Sequence, residues 1–138
     1  MKGLKRLGLV VCAVGVVVLA YSCGDGVEPE PPPPDPSGFL QVSVTLNRDD
    51  VGAMILRIWA DPIPDSIRGA PGLTVHHAPA PQSVRAFVAG PLPDSGSVLR
   101  FWTANTNLLG RHRVTVEQVA GTDYQQLFPS SVTARVIR

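Results

Sequence analysis

Cysteine and lysine are both scarce in this sequence. The only cysteines are Cys12 and Cys23, and no lysine follows Lys5. A secreted domain that is stapled by disulfides normally has an even set of cysteines. None follows residue 23, so we expect the fold to depend on core packing alone. The nine bases after Arg6 are all arginines, whose pKa is too high for proton transfer or Schiff-base chemistry, which excludes lysine-based mechanisms.

An excess of positive charge is also absent. From residue 23 onward, nine arginines stand against eleven aspartate and glutamate residues, so this part of the chain has a formal charge near −2. A nucleic-acid-binding protein would show a basic patch or stripe. We therefore expect no nucleic-acid partner.

Catalytic and metal-binding motifs are missing as well. The sequence contains no G-x-S-x-G, H-E-x-x-H, P-loop or G-x-G-x-x-G. His76 and His77 are adjacent, so on a strand they would point to opposite faces. His112 lies between two arginines, which disfavours an additional cation. Because zinc needs three or four converging ligands, each histidine is interpreted as a surface residue. The chain is predicted not to be an enzyme and to have no resident metal or cofactor.

Five aspartates fall in predicted turns, where their side chains bond nearby backbone donors: Asp49, Asp50, Asp61, Asp65 and Asp94. One alternative is a calcium site that combines Asp49 and Asp50 with loop carbonyls. Calcium takes six to eight oxygen ligands, and no EF-hand type of spacing supports such a site.

A single long apolar run is present, and it lies near the N-terminus. Residues 7–20 are all apolar or glycine and follow a segment with three positive charges, Lys2, Lys5 and Arg6. This is the pattern of a secretory signal peptide. A helix that crosses a membrane needs about 20 apolar residues, and this run has fourteen. An uncleaved N-terminal anchor helix is the alternative.

The segment LAYSC (residues 19–23) resembles the lipobox of bacterial lipoproteins, with Ser22 as the small residue before Cys23. The resemblance implies that residues 1–22 are a signal peptide, cleaved after Ser22. It also implies that the sulfur of Cys23 receives a diacylglyceryl group and that the new amino group can be acylated with palmitate. Two or three acyl chains anchor a protein stably. We therefore expect an envelope protein on a membrane surface, on the periplasmic or extracellular side, with inner or outer membrane left open.

Residues 23–37 form a second segment with its own composition. Between Gly24 and Ser37 there are six prolines, four acids and no base. Consecutive prolines favour an extended polyproline helix, which at ~3.1 Å per residue would span about 40 Å here. The segment is predicted to be a semi-rigid tether between the lipidated cysteine and the domain. A PxxP-type ligand for a partner's aromatic groove is the alternative.

Residues 38–138 are predicted to form an all-β domain. In its first run, Leu40, Val42, Val44 and Leu46 alternate with polar residues, which is the period of a half-buried strand. The segment from Asp61 to Gly72 is predicted to be loop with one short turn near residues 66–68. The expected fold is an antiparallel β-sandwich of about seven strands, with a small barrel as the alternative. The seven runs are residues 39–46, 52–59, 73–77, 83–90, 97–103, 111–119 and 131–138.

The order of GAMILRI (52–58), SVRAFVAG (83–90) and GSVLRFW (96–102) is similar to the strand order of cohesin-like sandwich domains. This resemblance covers residues 39–138 and implies the fold. It assigns no binding residue.

A repeated tetrapeptide is the most suggestive surface feature. LRIW (56–59) and LRFW (99–102) each place an arginine and a tryptophan two residues apart, on one face of a strand. If the intervening apolar residues fill the core, Arg57 with Trp59 and Arg100 with Trp102 lie outside. An exposed arginine over an indole contributes ~0.5–1 kcal/mol. Such pairs could form a sugar- or protein-binding surface; the alternative has both tryptophans in the core.

Together these features predict a membrane-anchored bacterial envelope lipoprotein whose domain is a non-catalytic protein- or glycan-binding or structural module. The alternative from another class is an accessory domain of an envelope hydrolase.

Overall fold

The alternating apolar residues form two antiparallel sheets in the computed structural model, which describes residues 31–138. The predicted signal peptide, residues 1–22, and the predicted lipidation site Cys23 lie outside the described residues. Residues 34–138 form a compact unit. Its nine strands are β1 (Gly38–Leu46), β2 (Val51–Trp59), β3 (Ile67–Gly69), β4 (Thr74–Ala80), β5 (Ser83–Ala89), β6 (Ser95–Thr103), β7 (Arg113–Gly121), β8 (Gln126–Leu127) and β9 (Val132–Ile137). Two short 3₁₀ helices, η1 (Thr106–Arg111) and η2 (Pro129–Ser131), precede β7 and β9.

The strands divide into a four-stranded sheet with the order β3-β6-β1-β9 and a five-stranded sheet with the order β4-β5-β2-β7-β8. Every pair of neighbouring strands is antiparallel. The predicted antiparallel β-sandwich is confirmed, with nine strands in place of about seven. No helix among residues 31–138 is long and apolar enough to cross a membrane.

The core lies between the two sheets and follows the period-two pattern. In β1, Leu40, Val42 and Val44 are buried, and in β2 Met54, Leu56 and Ile58 are buried. Each fully buried side chain of this size contributes roughly 1.5–3 kcal/mol relative to an exposed one. Further core residues are Val51, Val84, Ala86, Val88, Val98, Leu99, Phe101, Val119 and Val132.

Three register shifts interrupt the strand pairing, one of them between Val51 and Ala53 of β2. Between β1 and β6 the register shifts after Val42, so that both Val98 and Leu99 are buried. Between β2 and β7 the register shifts at Ile55/Leu56, and Glu117 is the extra residue in β7. A bulge of this kind adds one residue to a strand. Beyond it, the alternation of side chains between the two faces is shifted by one residue.

The prediction of a turn near residues 66–68 is wrong. Ile67–Gly69 is strand β3, which pairs with β6. The two-residue strand β8 was also unpredicted. Strands of two or three residues are too short to show a period of two, so their pairing is set by the neighbouring strand and not by their own pattern.

The loop between β3 and β4 contains a turn with a specific requirement for glycine. The amide of Leu73 donates a hydrogen bond to the carbonyl oxygen of Ala70 at 3.1 Å. Pro71 occupies the second position, and Gly72 the third with φ of 83°. Proline followed by a residue with positive φ is the pattern of a type II turn.

Candidate functional site

The sequence-predicted arginine and tryptophan pairs lie outside the core, on different sheets. Leu56 and Ile58 are fully buried in β2, so Arg57 and Trp59 face outward on the five-stranded sheet. In β6, Phe101 and Leu99 are buried, so Arg100 and Trp102 face outward on the four-stranded sheet. The four residues therefore contribute to two separate surfaces.

On the surface around Arg57, the carboxylate of Glu117 compensates the positive charge of the arginine. The Arg57 guanidinium lies 5.1 Å from the centre of the Trp59 ring, within the range of a cation–π contact. Its Nε lies 3.0 Å from Oε1 of Glu117, and Arg85 Nε donates to Oε2 of the same carboxylate at 2.7 Å. Trp59 is half-buried, and its Nε1 has no hydrogen-bond partner among residues 31–138.

Among residues 31–138, no acid pairs in this way with the arginines of the opposite surface. We call it the cationic aromatic face and define it by Phe39, Arg68, Arg100, Trp102 and Arg135, which all lie on the outer side of the four-stranded sheet by strand register. All five are exposed. None of its three arginines forms an ion pair within residues 31–138.

Phe39 is the platform on which two of these arginines lie. The Arg100 guanidinium is 5.2 Å from the centre of the Phe39 ring, and that of Arg68 is 5.7 Å from it. Arg100 is thus placed over Phe39 and not over Trp102 of its own strand. Phe39 pairs with Trp102 across the strands and is therefore a diagonal neighbour of Arg100, within reach of a long side chain.

The two arginines oppose each other directly. Arg68 of β3 and Arg100 of β6 are cross-strand partners. Like charges at directly opposed positions destabilise a sheet. Asp65, the acid closest to Arg68 in the sequence, forms no ion pair with it. The pair therefore presents two uncompensated guanidinium groups at one place on the surface, and a bound anion would relieve their repulsion.

A pocket adjoins this pair. It has a volume of about 470 Å³ and is lined by Gln41, Ser97, Leu99 and Arg100 and by residues 69–71. Gln41 is the cross-strand partner of Arg100 on β1. The pocket therefore has an amide and a hydroxyl beside the positive charge of Arg100.

A smaller groove of about 190 Å³ lies on the five-stranded sheet. Its floor includes Ala53, Ile55 and Ala120, and the rings of Phe87 and Tyr124 flank it. No charged side chain lines it, and the uncharged lining gives no indication of the ligand chemistry it would select.

The histidines occupy two kinds of environment. His76 and His77 are exposed on β4, as predicted for surface residues. The prediction that His112 is a surface residue is wrong, because it is buried against Phe101 with ring centres 5.7 Å apart. The ring contacts Leu108 of the helix η1 and Thr103 of β6, an arrangement that the flanking arginines in the sequence do not indicate.

The acids give no metal site in the described part of the chain. Arg48 donates to both carboxylate oxygens of Asp50, one of them at 2.7 Å. This hydrogen bond and the charge of Arg48 hold the pKa of Asp50 below its ordinary value. The alternative of a calcium site at Asp49 and Asp50 is therefore disfavoured, since Arg48 already occupies one of the two carboxylates. Across residues 31–138, no three histidine, cysteine, aspartate or glutamate side chains are grouped to hold a metal ion.

The described residues form a β-sandwich. Its four-stranded sheet presents arginines that have no acid partner among residues 31–138, beside exposed aromatic rings. Comparison of the chain with protein-family models, with curated proteins and with solved structures finds no match. The lipoprotein and cohesin-like resemblances therefore stay predictions from the sequence.

The sequence identifies only part of the cationic aromatic face. Arg100 and Trp102 came from the repeated tetrapeptide. Phe39 could have been found, because it shares the outward phase of Gln41 in a strand whose alternation is clear. Arg68 could not, because it lies in a segment whose prolines and glycines favour a loop.

Proposed function

We propose that this chain is a bacterial envelope lipoprotein, anchored through an acylated Cys23, whose β-sandwich is a non-catalytic binding module for an anionic partner. The anchor is supported by the charged N-terminus, the fourteen-residue apolar run and the small residue before Cys23. The binding role is supported by one observation above all, the opposed pair Arg68 and Arg100 over Phe39 with no acid of the described chain to neutralise it.

The proline-rich segment fits the role of a spacer. It ends where the domain begins, since β1 starts at Gly38. The carbonyl oxygen of Pro36 accepts hydrogen bonds from the backbone amide of Thr106 at 2.8 Å and from its hydroxyl at 3.0 Å. This contact fixes the point at which the chain enters the sandwich, so the residues before it are left to span the distance to the membrane surface.

The acyl anchor sets the place of action. Each buried CH₂ contributes about 0.8 kcal/mol, and one chain alone binds a membrane only marginally. Two or three chains on Cys23 would hold the protein on the membrane without a spanning helix. The acids of the spacer are repelled by anionic headgroups, which favours an extended arrangement with the domain presented away from the bilayer.

Metabolic labelling with radioactive palmitate tests the anchor. We expect incorporation into the wild-type protein and none into Cys23→Ser. Cys12→Ser is the matched control, because Cys12 lies inside the predicted leader, and it should label like the wild type. Mass spectrometry of the purified protein should show Cys23 as the first residue. Equal labelling of wild type and Cys23→Ser, or an intact Met1, would overturn the lipoprotein assignment.

A further inference from the structure

We infer that the anionic partner is an acidic glycan, a polymer of sugar rings that carry carboxylates, and that it binds along the cationic aromatic face. This inference rests on the proposed function of the domain as a binding module. Three chemical features of such a ligand, its carboxylates, its sugar rings and its hydroxyls, each have a matching group on this face.

The carboxylates match the opposed arginines. A guanidinium presents its donors in a planar fork that fits a carboxylate with two parallel hydrogen bonds. Arg68 and Arg100 are both held over the ring of Phe39, at 5.7 and 5.2 Å from its centre. The two guanidinium groups are therefore positioned before a ligand arrives. A carboxylate bound between them would replace the repulsion between the two arginines by two attractive contacts.

The sugar ring matches Trp102. Its side chain is 40% exposed, and it lies beside Phe39 as the cross-strand partner. Both arginines lie over Phe39, and neither lies over the indole of Trp102. No guanidinium of these two therefore covers the indole, and its exposed part can contact a pyranose ring, whose C–H groups pack on an aromatic surface.

The hydroxyls match the adjoining pocket. Its volume of about 470 Å³ falls in the range of small-molecule sites, about 300–1,000 Å³. Gln41 and Ser97 in its lining offer an amide and a hydroxyl next to Arg100. A linear polymer would place one ring on Trp102, its carboxylate between the arginines and the hydroxyls of the next ring in this pocket.

A membrane surface fits these observations less well. Insertion into the headgroup region requires aromatic side chains that protrude from the protein. Phe39 and Trp102 are only 38% and 40% exposed, and Phe39 is covered by two guanidinium groups. The aromatic rings thus offer little uncovered apolar area, which favours a ligand that lies across the sheet.

The test uses fluorescence of the full-length protein, purified in detergent from the envelope fraction. The chain has two tryptophans, so Trp59→Phe leaves Trp102 as the single reporter and Trp102→Phe leaves Trp59. Titration with polygalacturonate should change the emission of Trp102 and protect it from acrylamide, while neutral dextran should do neither. Trp59 should not respond to either polymer.

Paired variants locate the site. Arg68→Gln with Arg100→Gln should weaken polygalacturonate binding by at least about tenfold, since each guanidinium–carboxylate contact is charge-assisted. Arg85→Gln with Arg113→Gln removes the same charge from the outer side of the five-stranded sheet and should change binding less than about twofold, by its long-range field alone. Phe39→Ala should weaken binding, and Phe87→Ala, an exposed phenylalanine on the other sheet, should not.

Each contrary result has a defined meaning. Equal binding of dextran and polygalacturonate, or equal loss in the two double variants, overturns the inference. So does binding to phosphatidylglycerol vesicles without binding to polygalacturonate, which would make the face a membrane surface. So too does the absence of any response to polygalacturonate in a folded protein. Palmitate labelling of Cys23 is unaffected by all of these outcomes, so failure of the glycan inference is distinguishable from failure of the lipoprotein assignment.

Discussion

The imidazole of His112 is hydrogen-bonded to the hydroxyl of Thr103, with Nε2 of the ring 3.2 Å from Oγ1. The other ring nitrogen, Nδ1, lies 2.8 Å from the carbonyl oxygen of Leu108. A carbonyl oxygen only accepts, so Nδ1 carries the proton of this bond. In the neutral ring, Nε2 then accepts from Thr103. The residue ties the helix η1 to the end of β6 and has a structural role.

We expect His112→Ala to lower the free energy of unfolding by about 2–3 kcal/mol, because it removes two hydrogen bonds and the packing on Phe101. Urea denaturation followed by far-UV circular dichroism measures the change. His76→Ala and His77→Ala are matched controls on the exposed strand β4 and should stay within about 0.5 kcal/mol of the wild type. A loss for His112→Ala no larger than for these controls would contradict the structural role.

The strand core could be predicted from the sequence because burial there follows period two over eight or nine residues. Leu40, Val42 and Val44 all face inward as expected, and so do Leu56 and Ile58. What the alternation does not encode is the pairing of short segments. The strand β3 forms because β6 has an open edge with which it pairs. The three residues of β3 do not by themselves indicate that edge.

The same limit applies to the candidate site. The tetrapeptides LRIW and LRFW fix which face of a strand each arginine and tryptophan occupies. They do not show that β2 and β6 belong to different sheets, nor that a third aromatic ring is the diagonal neighbour of Arg100. Those relations arise from strand order and register, which depend on contacts between residues that are distant in the sequence.

The two tryptophans should differ in their accessibility to solvent. Trp102 is 40% exposed, whereas Trp59 is half-buried with its Nε1 fully covered. Acrylamide should therefore quench the fluorescence of Trp59→Phe, which retains Trp102, more strongly than that of Trp102→Phe. Because the buried N–H of Trp59 has no partner among the described residues, its removal loses no hydrogen bond, and Trp59→Phe should cost less than about 1 kcal/mol. Equal quenching of the two variants would contradict the placement.

Gly72 should be sensitive to substitution for a backbone reason alone. Its φ of 83° lies in the region that favours glycine, and a Cβ there would contact nothing within 4 Å. We expect Gly72→Ala to reduce stability by roughly 1 kcal/mol through this conformation. Gly110 is the matched control, since its added Cβ also meets nothing within 4 Å and its φ is not positive. Gly110→Ala should be neutral or stabilising in the same denaturation assay.

Asp50 should titrate below the ordinary aspartate range. The hydrogen bond from Arg48 and its positive charge hold the pKa of Asp50 down. A carboxyl group whose folded pKa is lowered contributes stability above its unfolded pKa, and this contribution is lost as the pH falls through the folded pKa. NMR titration of the carboxyl carbon should show the low pKa in the wild type and a rise toward the ordinary aspartate pKa in Arg48→Gln. An unchanged pKa in that variant would show that the hydrogen bond is absent in solution.

The contrast between the two sheets leads to a prediction that links stability to binding. On the five-stranded sheet, Glu117 compensates Arg57 and Arg85, whereas the position opposite Arg100 on β1 is occupied by Gln41. Gln41→Glu would give the cationic aromatic face an internal acid of the same kind. Opposite charges at directly opposed positions contribute roughly 0.2–1 kcal/mol, so the variant should be as stable as the wild type or more stable.

That same carboxylate should compete with the ligand. With Arg100 already paired, Gln41→Glu should lose polygalacturonate binding while it keeps or gains stability at neutral pH. Gln41→Ala separates the two effects, since it removes the amide without adding charge and should weaken binding only modestly. Because the pairing is electrostatic, the stabilisation should shrink when the salt concentration is raised to 1 M. A Gln41→Glu variant that bound the polymer as tightly as the wild type would mean that Arg100 does not contact the ligand.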